Sequence, residues 1–241
     1  MNQGKKIVKI YKKKEVVKNF DKERNNYDFQ RYKHKIESSF LKKAINSIKH
    51  GKIKVLDVAC GTGRMLPEVF SVGKNMAYFG FDSSKEMAKH LKEKTKVLGL
   101  GKNVKVKIGN ASRLPFKDSY FDIVHSFHLL WHLPKEDQEK IIKEMMRVCK
   151  KQGIVIFDAL NKDFIWEKSK SLFGIKKNKG IYKLSVKEIK SVIGNHNFKI
   201  EKLNDFPVKK NLVYMIFNIF NHLRGFLPVS FYHMIYIKIK K

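Results

Sequence analysis

The sequence predicts an α/β fold: a seven-stranded, mostly parallel sheet with helices on both faces, an N-terminal helix and a C-terminal insertion. Three observations carry this. Short apolar runs alternate with amphipathic stretches from Lys54 onward, the rhythm of parallel strands joined by crossover helices. The first run ends in a glycine turn, Gly61-Thr62-Gly63. Capping boxes at Ser83 to Glu86 and Ser185 to Glu188 mark the starts of two of the intervening helices.

The elements follow in order. Met1 to Asn26 is a lysine-rich, weakly periodic arm. A helix is expected over Arg31 to Lys49, where Ile36, Phe40, Leu41, Ala44, Ile45 and Ile48 recur at helical spacing. Strand one is Val55 to Ala59, and strand two Ala77 to Phe81, ending at Asp82. Ser83 to Glu86 reads as a capping box, opening a helix with Met87, Ala88 and Leu91 on its buried stripe. Strands three and four are Val104 to Ile108 and Phe121 to Ser126. Pro134 suits the first position of the next helix. Glu136, Asp137 and Glu139 near its start and Arg147, Lys150 and Lys151 near its end oppose its dipole. Ile141, Ile142, Met145, Met146 and Cys149 face the core, and Gly153 is expected to end the element. Strand five is Ile154 to Phe157. A second capping box, Ser185 to Glu188, opens a helix with Ile189 and Val192. Phe198 to Leu203 and Met234 to Ile239 are the last strands. Phe164 to Tyr182 and Phe206 to Tyr232 break the rhythm and read as insertions.

At 241 residues and 43% hydrophobic content, the chain suits one α/β domain. The division expected is the arm at 1–26 and a single domain over 27–241, with the ligand-binding core at 53–160. No run resembles a signal peptide or a membrane span. Cys60 and Cys149 are the only cysteines, which excludes a disulfide framework and makes a reducing cytoplasm the default. The net charge of +30 favours polyanions such as RNA, or acidic membrane surfaces. Lysine outnumbers arginine 46 to 6 and is spread through every segment, so a general lysine bias with no polyanion partner is the preferred reading of the charge.

Chemistry concentrates at Val55 to Arg64. A strand enters a glycine-rich turn and then a helix, so the backbone can approach a ligand closely and helix-start N–H groups can meet polar groups. A dinucleotide site would want a third glycine where Leu66 stands, and a phosphate loop a Lys-Ser or Lys-Thr pair. The turn therefore suits a nucleoside ligand without a pyrophosphate. Asp82, at the end of strand two, can accept both ribose hydroxyls.

These residues resemble the class I S-adenosylmethionine (SAM)-dependent methyltransferases, and within them the broad small-molecule group typified by quinone C-methyltransferases. The resemblance runs over about Lys54 to Phe157. It includes Asp57 to Gly63, Asp82, Asn110 to Phe116, Phe121 to Val124, Leu130 to Leu133 and Arg147 to Gly153. It implies a Rossmann-like fold and SAM as methyl donor, leaving S-adenosylhomocysteine (SAH). By resemblance Asp57, Gly61, Thr62 and Gly63 would line the methionine part. Asp82 would bind the ribose, with Ser83 and Met87 near the adenosine. Asn110 and Ala111 would flank the adenine, and Ser126 and Phe127 would border the sulfonium. Asn110 departs from the family's usual aspartate, but its carbonyl oxygen can still accept from the adenine amino group.

Direct displacement on the sulfonium methyl needs alignment more than acid–base chemistry. A general base is required only where the acceptor loses a proton, and His128, His132 and Tyr27 are the candidates. Tyr27 belongs to Asn26-Tyr27-Asp28, similar to the family's N-terminal segment that closes over the cofactor. His125, His128 and His132 form an apparent cluster, but strand alternation sends His125 and Phe127 to one side and His128 elsewhere. No carboxylate-bearing metal pattern accompanies them in sequence, so no metal is expected. Three readings of the function stand: a small-molecule or lipid-like acceptor, an RNA acceptor, and a non-catalytic SAM-fold binding protein. The aromatic stretch Leu212 to Tyr236, bracketed by lysines, adds peripheral contact with an anionic membrane as a reading of the tail.

Overall fold

The computed structural model describes residues 28–49, 51–73, 75–165, 180–203, 219, 223 and 226–241. The expected arm at 1–26, Tyr27 and most of the two insertions lie outside the described residues. In chain order the elements are α1 (Asp28–Asn46), β1 (Ile53–Val58), α2 (Leu66–Phe70), β2 (Met76–Asp82), α3 (Lys85–Val97), β3 (Val104–Ile108), β4 (Phe121–Ser126), α4 (Lys135–Val148), β5 (Cys149–Leu160), α5 (Val186–Ile193), β6 (Asn197–Leu203) and β7 (Met234–Lys240). One seven-stranded sheet has the order β3-β2-β1-β4-β5-β7-β6. The first five strands pair in parallel, and β7 runs antiparallel to both β5 and β6. This is the Rossmann-like architecture expected.

Two buried layers flank the sheet. On one side Phe40, Leu41, Ala44 and Ile45 of α1, Leu66 and Val69 of α2 and Leu91 of α3 pack on Val55, Tyr78, Ile123 and Ile156. On the other, Ile141, Ile142 and Met145 of α4 and Ile189 and Ile193 of α5 pack on Leu56, Phe79, Val124 and Val155. Covered on both faces, β1 is almost continuously buried, which is why its sequence reads as an apolar run.

Several element ends differ from the sequence expectation, β5 running from Cys149 to Leu160 rather than Ile154 to Phe157. Helix α1 begins and ends three residues earlier than Arg31 to Lys49. Helix α3 has no capping box: Ser84 is the N-cap, accepting from Met87 N at 3.2 Å. The entry is fixed one residue later than expected because Asp82 Oδ1 accepts from Ser84 N at 2.8 Å. Pro134 is the N-cap of α4, in extended conformation, rather than its first residue. Gly153 does not terminate α4, which passes directly into β5 at Cys149. There β4 and β5 change register, Phe121 facing Cys149 and Ile123 facing Ile154, and Gln152 takes a φ of 64°. A Cβ on Gly153 would lie 2.6 Å from Cys149 Sγ and 2.9 Å from Asp122 O, so glycine is required by a bulge, not by a helix end. The capping box at Ser185 and Glu188 is present with both of its bonds.

Candidate functional site

The strand order reverses between β1 and β4, and in open α/β sheets the crevice beyond the strand ends at such a point is where ligands sit. The glycine turn leaves β1 at this place. Ala59, Gly61 and Gly63 all have positive φ (61°, 54° and 78°), so the chain coils tightly before the five-residue α2. The two glycines are needed for different reasons. A Cβ on Gly63 would fall 2.3 Å from Leu91 Cδ1 of α3, whereas one on Gly61 would meet nothing within 4 Å. Gly63 packs the turn on its neighbour; Gly61 faces open space.

Asp82 links the turn to the next helix. Its Oδ2 accepts from Gly61 N and its Oδ1 from Ser84 N, both at 2.8 Å. The carboxylate thus organises the turn itself, and its remaining lone pairs still allow it to accept from ribose hydroxyls. Ser83 is exposed, and Met87 and Thr62 are buried. Asn110 is exposed and its Oδ1 accepts from Ser112 N at 3.0 Å, so the oxygen expected to meet adenine already serves a local turn and has one lone pair left. Ala111 is half-buried next to it.

Asp57 is buried at the end of β1 and accepts from Tyr78 O–H at 2.5 Å. Burial pushes its carboxyl up to about 7, against the pull of Tyr78 and Arg64. Directly across on β4 stands His125, fully buried, with Nδ1 3.6 Å from Asp57 Oδ1 and, among the described residues, no hydrogen bond to either ring nitrogen. Burial first, then Arg64, pushes His125 down to about 3, so the ring is neutral. It packs 5.4 Å from Phe127, as alternation predicts. Ser126 Oγ, also buried, has no hydrogen-bond partner among the described residues.

His128 departs from its neighbours. It follows β4 with φ 64°, an uncommon conformation for a residue bearing a Cβ. Its backbone N–H donates to both carboxylate oxygens of Asp158, at 2.9 and 3.2 Å. Its Nε2 lies 2.5 Å from Glu37 Oε1. Arg64 Nη2 is 2.6 Å from Glu37 Oε2, Tyr236 O–H reaches Glu37 Oε1 at 3.3 Å, and Lys33 is buried over the Trp131 ring at 4.7 Å. Burial alone would raise Glu37, but the charges of His128 and Arg64 outweigh it and hold the carboxyl well below its usual range. Asp158 goes the other way, pushed up to about 7 by burial and by the Glu37 charge. His132, the second candidate base, accepts from Trp131 Nε1 at 3.1 Å.

Carboxylates do therefore accompany one of the histidines, contrary to the sequence expectation. The ligand atoms of Glu37, His128 and Asp158 all lie within 4.8 Å of one another. Arg64 and Lys33 already balance the two acids, so a divalent cation would add uncompensated charge to a buried cluster. Sequence reasoning missed Glu37, Arg64 and Asp158. A signal existed: Lys33 and Glu37 interrupt the buried stripe of α1 at i, i+4 spacing, and Asp158 interrupts the apolar run of β5, and buried charges need partners.

Residues 55–153 match the family described as Methyltransferase domain. An uncharacterized protein of Methanocaldococcus jannaschii is 34% identical over 188 residues, 76% of this chain and 67% of that protein. The chain belongs to the class I SAM-dependent methyltransferases. The demethylmenaquinone methyltransferase of Geobacillus kaustophilus is 39% identical over 111 residues. The chain spans about half the length of that relative, 46% of each being covered. The SAH-bound magnesium protoporphyrin IX methyltransferase of Synechocystis shares the fold, with a TM-score of 0.61 at 16% identity over 89% of this chain and 86% of that one. SAM is the methyl donor of this methyltransferase family. The methyltransferase-domain match contains the turn, Asp82, Asn110 and His128, and leaves Glu37 and Asp158 outside its bounds.

Proposed function

We propose that this chain transfers a methyl group from SAM to a small-molecule or lipid-like acceptor at the crevice between β1 and β4. The observation that carries it is the turn at Gly61, which presents open space at the topological switch point while Asp82 fixes its backbone. In this reading Asp57, Gly61, Thr62 and Gly63 take the methionine part, and Asp82, Ser83 and Met87 the ribose and adenosine. Asn110 and Ala111 flank the adenine, and Ser126 and Phe127 lie toward the sulfonium. A low-molecular-weight acceptor is supported by the names of the relatives, which act on a quinone precursor and a porphyrin. The net charge of +30 keeps an RNA acceptor as the second reading.

Calorimetric titration with SAM and SAH tests the cofactor assignment: wild type binds both, and folded Gly61→Val does not. Methyl-labelled SAM incubated separately with small-molecule, lipid and RNA fractions then identifies the acceptor class. Label entering RNA alone would overturn the small-molecule reading, and failure to bind SAM would overturn the whole proposal.

A further inference from the structure

His128 combines three features that packing alone does not require. Its backbone is in the left-handed region, a conformation that persists only where surroundings enforce it and that gathers at functional sites. Asp158, fully buried on β5, gives both oxygens to the N–H of that single residue. Glu37, fully buried on α1, is turned on its ring. Two buried acids from two other elements thus serve one histidine at the end of β4, beside the switch-point crevice. His128 itself is partly accessible, with 13% of its side chain exposed against 0% for each acid.

We propose that His128 takes the proton released by the methyl acceptor, and that Glu37 and Asp158 are its positioning residues. This rests on the methyl-transfer reading and narrows it: the acceptor is protic, a hydroxyl or an activated aromatic ring, rather than a thioether or tertiary amine. Glu37 is ionised and can only accept, so the Nε2 of His128 carries the hydrogen between them. The basic nitrogen of the ring is then Nδ1. The acceptor atom attacks the methyl carbon, its new bond to carbon forming as the carbon–sulfur bond breaks. The electron pair of the broken bond stays on sulfur, giving neutral SAH. The acceptor's proton passes to Nδ1, and the imidazolium formed is stabilised by Glu37. Arg64 and Lys33 hold Glu37 ionised, and Asp158 fixes the backbone of His128 by accepting from its N–H with both oxygens. The positive charge lost from sulfur reappears on the ring, so the step balances.

Three measurements on the full chain test this. In the SAH-bound protein, 15N spectra of labelled histidine report the tautomer, which is Nε2–H at His128 and is lost in the isosteric Glu37→Gln. With SAM and 1,4-dihydroxynaphthalene as a protic probe, turnover falls about a hundredfold in His128→Gln and about tenfold in Glu37→Gln. SAM affinity stays within about threefold in both. The rate rises with pH along an acid limb, which moves to lower pH in Glu37→Gln, because removing the anion weakens the base, and disappears in His128→Gln. A merely structural histidine would not move that limb. An Nδ1–H tautomer, or wild-type turnover and pH profile in SAM-binding His128→Gln, would overturn the relay alone. So would a stoichiometric metal that Glu37→Gln loses, since ligation would occupy Nε2. Absence of SAM binding in wild type would instead overturn the methyl-transfer reading.

Discussion

Single residues around the glycine turn have separable roles. Gly61→Ala places a Cβ in open space at positive φ and should cost about 1–2 kcal/mol of stability, while obstructing the ligand face of the turn. Gly63→Ala bears the same backbone cost and also drives a Cβ into Leu91, adding about 1–3 kcal/mol. Urea unfolding of the two variants, beside SAM calorimetry, should show Gly63→Ala as the less stable and Gly61→Ala as a folded poor binder. Asp82→Ala strips the acceptor from two backbone N–H groups and should destabilise the fold by at least about 1 kcal/mol. It should also weaken SAM about tenfold or more. A variant that loses SAM with unchanged stability would mean the turn does not depend on this carboxylate. Asp57, Gly61 and Gly63 were legible in the sequence because their spacing is set by one strand–turn–helix unit, and Asp82 because it ends the next strand. The Glu37–His128–Asp158 cluster was not, because its members come from α1, the end of β4 and β5 and meet only through tertiary packing.

Among elements, α1 is attached to the turn region by a polar chain. Arg64 Nη1 contacts His34 Nδ1 at 2.7 Å, His34 Nε2 contacts Glu68 Oε1 at 3.1 Å, and Ser38 O–H and Lys42 meet Glu68 Oε2 at 2.6 Å each. Burial opposes ionisation of Glu68, but Lys42, Ser38 and His34 lower it to about 2. A carboxyl depressed in the folded state contributes stability that is present above the unfolded value of 4.5 and is lost as pH falls toward 2. The site is partly exposed, so the gain is about 1 kcal/mol or less. Wild type should therefore exceed Glu68→Gln in urea midpoint at pH 7, and the gap should close by pH 2. Element identities followed from periodicity, whereas boundaries slipped where a tertiary bond or bulge intervened. Asp82 moved the start of α3 by one residue, and the bulge at Gly153 turned an expected helix stop into strand. Neither is encoded in a local propensity.

For the whole molecule, the charge has a partly internal explanation. Lys54 lies 4.0 Å above the Tyr120 ring, Lys107 5.1 Å above Phe116, and Lys105 and Lys190 5.8 Å above Phe79 and Phe198. Such lysines pack their stems on aromatic faces and need no polyanion. Ile219, Leu223 and Phe226 are nevertheless exposed to solvent, Phe226 at 88%. Among the described residues no helix is long and apolar enough to cross a membrane. We propose peripheral contact: anionic vesicles should pellet the protein at low salt, and a fraction should persist at high salt through aromatic insertion. Phe226→Ser should remove that fraction, and no pelleting at low salt would exclude the contact.

The place of β7 carries a consequence for how the chain reaches this state. It comes last of the seven strands in sequence yet lies between β5 and β6. Until Met234–Lys240 arrives, β5 keeps an unsatisfied edge and β6 has no sheet to join. Completion waits on pairing between segments far apart in sequence, and meanwhile an apolar strand edge is open to a neighbouring chain. Refolding from urea should thus be slow, and its yield should fall as protein concentration rises.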